Sequence, residues 1–145
     1  MYKTARDSVS ESKPSQVTDV YWLTAERRRG GYPKATARSG KWLVFVRNDE
    51  VDEVWALISE AVREGKLGNQ AKVSTAKPNP LSRDPTRHVL CIYTYDYANK
   101  KDVIRVRREL RRLGITEEIP YKADEDTVAG KYRKLGHMRI SKYFE

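Results

Sequence analysis

Gly40-Lys41-Trp42-Leu43-Val44-Phe45-Val46-Arg47 is the stretch on which the fold turns. Its hydrophobes lack the alternation of a half-exposed strand, and Trp, Val and Phe favour a pleated surface. That pattern suits a central strand covered on both sides. Directly after it the apolar period lengthens to that of a helix. Asp49 stands at the N-cap and Asp52 in the first turn, where the helix N-terminus favours acids. Val51, Val54, Trp55, Ile58 and Val62 then form one apolar stripe, and Gly65 is placed to end the helix.

Strands and helices continue in both directions from this unit. Upstream, Val20 to Leu23 reads as a short first strand, followed by the basic loop Arg27-Arg28-Arg29-Gly30-Gly31. Residues 1–16 are polar and without periodicity, and read as a mobile tail ahead of a single domain over 17–145. Downstream, Gln70 to Thr75 is a strand, and three prolines between Lys77 and Pro85 make the next segment a loop. Arg87 to Tyr95 is a strand with Val89, Cys91, Tyr93 and Tyr95 on one face. Asn99 and Asp102 open a second helix that buries Val103, Val106, Leu110 and Leu113 and stops at Gly114. Ile119 to Tyr121 is extended, Asp124 to Thr127 is an acidic turn, and Met138 to Phe144 reads as a last strand. The mixture predicts an α+β fold: one domain, a mainly antiparallel curved sheet, and two main helices packed on one face.

Composition narrows the function classes. The chain has 145 residues and a formal net charge of +9, which favours anionic partners such as nucleic acid or a phosphoprotein. No apolar run approaches the ~20 residues of a membrane span, and no signal-peptide core is visible. A cytoplasmic protein with no membrane partner is expected. The single cysteine, Cys91, lies in an apolar run and reads as a buried thiol. No metal or other cofactor is expected: the two histidines, His88 and His137, do not form a metal motif. P-loop, dinucleotide and Ser-His-Asp patterns are also missing.

Two lysines carry the chemical interest. Lys41 and Lys72 each sit among hydrophobes on a strand. If both face one concave surface, each makes protonation of the other costlier, and one becomes a candidate base. The competing reading is an edge lysine that deters aggregation. Gly40 beside Lys41 permits close approach of a backbone or ligand. Arg83, Arg87, Arg133 and Arg139 have the planar fork that matches phosphate. A different reading uses the second helix. Arg108, Arg111 and Arg112 would contact RNA phosphates while Tyr93, Tyr95 and Tyr97 stack bases.

The order Lys41-Trp42-Leu43, then a helix with Trp55, then Ala71-Lys72-Val73-Ser74-Thr75, resembles the phosphothreonine lyases secreted by pathogenic bacteria. A closer resemblance is to small cytosolic proteins described as phosphothreonine lyase domain proteins. It rests on Gly40-Lys41-Trp42, residues 71–75, Ile92 to Asp96, and Tyr121-Lys122-Ala123-Asp124 with Thr127. Eukaryotic relatives of that group are similar in fold to the messenger-RNA cap-binding initiation factor. The lyase resemblance implies β-elimination of phosphate from a phosphorylated Thr or Ser side chain of a protein or peptide. It casts Lys72 as the base and Lys41 as the stabiliser of the enolate-like carbonyl or phosphate. Tyr93, Arg83, Arg87, Arg133 and Arg139 would hold the substrate. Leu43 stands where those enzymes carry a histidine acid, whose loss costs ~10²–10⁴ in rate. His137 or His88 would have to replace it. The alternative expectation is a noncatalytic module that binds RNA, a ribosome or a nucleotide.

Overall fold

The computed structural model describes residues 12–79, 84, 86–125 and 142–145. Within them the strands are β1 (Trp22–Glu26), β2 (Gly40–Arg47), β3 (Gln70–Ser74), β4 (Arg87–Thr94), β5 (Pro120–Ala123) and β6 (Tyr143–Phe144). Helices α1 (Val51–Arg63) and α2 (Lys100–Arg112) follow β2 and β4. The sheet order is β1-β3-β4-β2-β5-β6, every pairing antiparallel. The expected α+β architecture is thus the observed one. The first strand begins two residues later than the sequence suggests and runs on to Glu26.

Strand parity sorts the side chains. Trp42, Val44 and Val46 of β2 join Ala71, Val73, Leu90 and Ile92 in the core. Both helices cover that face: Trp55, Ile58 and Val62 of α1, and Val103, Val106 and Leu110 of α2, belong to the same cluster. Trp42 and Trp55 are almost fully buried. At ~25 cal/mol per Å² each contributes about 5 kcal/mol of apolar burial. The Trp42 indole N–H also donates to the Val103 carbonyl at 3.0 Å, tying α2 to the sheet.

The other face of β2 carries Lys41, Leu43, Phe45 and Arg47. Lys41 and Leu43 are buried, so the strand is covered on both sides through Val44 as its composition suggests, and only its end opens, with Phe45 47% exposed. The helix starts differ. Asp49 does not cap α1; its carboxylate is held by Arg47, and Glu50 occupies the N-cap without a side-chain bond. Asn99 does cap α2, accepting from the Asp102 amide at 3.2 Å. Gly65 and Gly114 take positive φ beyond the two helices, as their places in the sequence suggest. The segment read as tail ends in a 3-10 turn at Pro14–Gln16, where Ser15 donates through both its amide and its hydroxyl to the Asp52 carboxylate.

Candidate functional site

Lys41 and Lys72 share the face opposite α1 and α2, as the first condition for a lysine pair requires. Among the described residues their ammonium groups have different partners. β4 lies between their strands, Lys72 opposite Cys91 and Lys41 opposite Tyr93. The Lys41 ammonium donates to Asp124 at 2.7 Å, and Ser39 donates to the other oxygen of the same carboxylate at 2.7 Å. The Lys72 ammonium instead lies over the Trp22 ring, 4.0 Å from its centroid. Gly40 makes room for Tyr121 rather than for a ligand: a Cβ there would come within 2.6 Å of that buried ring. Between the lysines, burial pushes the Cys91 thiol and the Tyr93 hydroxyl upward in pKa, the thiol against the pull of Lys72 and Lys41.

A groove of about 750 Å³ opens on this face at the N-terminal end of β1. Tyr21, Trp22 and Phe45 give it aromatic walls, and Lys77, Arg87 and His88 line it as well. The β-sheet register explains the convergence: Trp22 pairs with Ser74 at the edge, while Phe45 pairs with Val89 two strands further in. Tyr21 and Phe45 are 41% and 47% exposed, so large ring surfaces face solvent. Lys77 lies over Tyr21 at 4.4 Å, repeating the arrangement of Lys72 over Trp22. Each lysine sits on a ring face by cation–π attraction, leaving two cations beside two stacking surfaces. His88 is buried with Nδ1 2.8 Å from the Ser74 carbonyl, which serves structure. Asp84 is the groove's carboxylate; hydrogen bonds from the Thr86 hydroxyl and amide lower its pKa.

Of the residues expected to hold substrate, Arg87 is in the groove, while Tyr93 lies further along β4 on the same face. Arg83, Arg133, Arg139 and His137 lie outside the described residues. The arginine helix is on the opposite side of the sheet. There Arg111 donates to the Thr116 carbonyl at 2.7 Å, Arg112 pairs with Glu109 at 2.5 Å, and Arg108 is exposed. Tyr95 packs edge-on against Tyr32, and Tyr97 donates to Glu125, so these two rings are engaged away from the groove. Sequence reasoning missed Tyr21, Trp22, Phe45 and Lys77. Parity gave a signal for Phe45, two residues from Leu43 and four from Lys41 on one strand face. Among the described residues no group of three metal-ligating side chains occurs, and no helix is long and apolar enough to cross a membrane.

The fold is that of the eIF4E proteins. A Caenorhabditis elegans eIF4E-3, solved with the 4E-binding protein Mextli and a cap analogue, is similar at a TM-score of 0.55 and 22% identity. A schistosome eIF4E, solved with m7GpppA and 4E-BP, gives 0.56 and 15%. The Ascaris suum eIF4E-3, solved with an m2,2,7G cap, gives 0.51 and 22%. Each likeness covers 74% of this chain but only 57–59% of the other protein. In sequence, residues 33–128 match the family model described as Basophilic leukemia-expressed protein Bles03. That match overturns the expected membership among phosphothreonine lyase domain proteins. The lysine motifs behind that expectation are short, and here one lysine serves Asp124 and the other Trp22. With the matched segment running from the β1–β2 loop past β5, the chain belongs to the Bles03 family.

Proposed function

We propose that this protein is a noncatalytic nucleotide- or RNA-binding module whose site is the groove on the face opposite α1 and α2. The observation behind this reading is the side-by-side placement of Tyr21, Trp22 and Phe45 with Lys72, Lys77 and Arg87. A nucleotide presents a flat base and an anionic phosphate, and the groove offers ring faces and cations to match. On binding, a base takes the ring face and the displaced ammonium pairs with phosphate. The net charge of +9 adds general attraction for a polyanion. The eIF4E proteins of similar fold were solved with cap analogues, which also join a base to phosphates. A β-elimination site draws no comparable support, since Lys41 is held by Asp124 and Leu43 has no proton to give.

The test is a fluorescence-anisotropy titration of a labelled single-stranded RNA with the native protein and with Trp22→Ala. Binding that weakens with salt and falls about tenfold or more in the variant supports the reading. Equal binding by both proteins, or none by either, removes it.

A further inference from the structure

A second depression, of about 480 Å³, lies at the far end of the same edge strand. Glu26, Arg28, Gly30, Tyr32, Asn69 and Gln70 are among its lining residues. The groove sits where Trp22 pairs with Ser74, and the depression where Glu26 pairs with Gln70. Thr24 and Lys72 pair between them with the same parity, so all three rungs project from the face opposite α1 and α2. The two sites are therefore the ends of one track along β1 and β3.

The arginine loop at the far end is built to point charge outward. Arg27 is spent on holding it: its guanidinium donates to the carbonyls of Leu67 at 2.8 Å, Gly68 at 3.3 Å and Arg29 at 3.1 Å. It also stacks over Tyr32 at 4.9 Å. Gly30 turns the chain with φ +71. Arg28, which lines the depression, is left exposed, and Arg29 is exposed beside it, toward Glu64 at the end of α1. Glu26 is the carboxylate on the path, and Glu64 lies close enough to Arg29 to feel its charge.

We propose that the ligand is a single RNA strand several nucleotides long, running from the Trp22 groove over Lys72 to Arg28 and Arg29. This rests on the groove reading and names its ligand as an oligonucleotide rather than a mononucleotide. The five residues of β1 span roughly 15 Å. A duplex strand advances ~3.4 Å per nucleotide and an extended single strand more, so the track has room for about two to four. Lys72 meets the backbone midway, and the arginine pair meets phosphates at the end. Glu26 opposes the strand, so its neutralisation should tighten binding.

The experiment compares a dinucleotide with a decanucleotide by calorimetry, using native protein, Trp22→Ala, Glu26→Gln and the double variant Arg28→Ala/Arg29→Ala. The expected result is that the arginine variant loses about tenfold affinity for the decanucleotide and about two units of its log–log salt slope. Its dinucleotide affinity stays as in the native protein. Glu26→Gln binds the decanucleotide severalfold tighter. Equal affinity of the native protein for both lengths, or a decanucleotide indifferent to the arginines, overturns the track while leaving the groove standing. Indifference of both ligands to Trp22→Ala overturns the groove itself. Circular dichroism of each variant identifies any loss that comes from unfolding.

Discussion

The Lys72 ammonium lies 4.0 Å from the centroid of the Trp22 ring, across the β1–β3 pairing at the sheet edge. Lys72 pairs in register with Thr24, so the contact reaches diagonally to the next rung. In the proposed reading, a cation parked on an aromatic face supplies both halves of a nucleotide site in one contact. Base–aromatic stacking is worth ~1–3 kcal/mol per base. Trp22→Ala should therefore weaken RNA binding by about ten- to a hundredfold. Lys72→Ala should weaken it less and lower the salt slope by about one. Titrations at several salt concentrations measure both. A Lys72 variant with the native slope would show that this ammonium meets no phosphate.

Lys41 and Asp124 make a different prediction, one about stability. The lysine side chain is only 9% exposed, and its carboxylate partner is 30% exposed. Asp124→Asn leaves an ammonium in a confined site and should cost ~2 kcal/mol, discounted from a fully buried pair because Asp124 still meets water. Adding Lys41→Met should recover part of the loss. Denaturant melts of the native, single and double variants check this. RNA binding in the Asp124→Asn variant should stay near native, because the pair lies outside the groove.

Arg107 should behave as a core residue despite its charge. It is 2% exposed and donates to the carbonyls of Ile115 at 2.9 Å, Glu117 at 2.6 Å and Glu145 at 3.0 Å. These bonds fasten the turn after α2 and the β6 end onto the helix. Arg107→Ala removes three charge-assisted bonds and should cost ~3 kcal/mol or more. Arg108→Ala, at an exposed site, should cost less than ~0.5 kcal/mol. Thermal melts of the two variants, side by side, decide the matter.

The sheet and helices were legible because period and parity are local. The stripe from Val51 to Val62 and the run from Trp42 to Val46 each announce an element within a dozen residues. The inward turn of Arg107 was legible in principle, since it falls between Val106 and Leu110 on the buried stripe. The groove was not. Tyr21, Phe45, Lys77 and Arg87 converge only through the order β1-β3-β4-β2, which no local pattern encodes. The surroundings of the two strand lysines were hidden for the same reason. Their shared face followed from parity, but the intervening β4, the Asp124 partner and the Trp22 ring did not.

Acid should expose the Arg38–Asp96 pair. The Arg38 guanidinium donates to both Asp96 oxygens, at 2.9 and 2.6 Å, and these bonds hold the carboxyl below its usual pKa. A carboxyl depressed in the folded state binds its proton more readily in the unfolded chain. Its stabilisation is present above the unfolded pKa, near ~3.9, and is lost as pH falls through the lower folded value. Melting temperature followed downward from neutral pH should drop more steeply in the native protein than in Asp96→Asn. Parallel curves would mean that the pair adds nothing to acid stability.

Amide chemical-shift mapping tests the location of binding most directly. The native protein, labelled with nitrogen-15, is titrated with a short single-stranded RNA. The account predicts shifts concentrated at Tyr21, Trp22, Phe45, Ser74, Lys77 and Arg87 on the face opposite α1 and α2. Shifts concentrated instead at Arg108, Arg111 and Arg112 on α2, or no shifts at all, would contradict it.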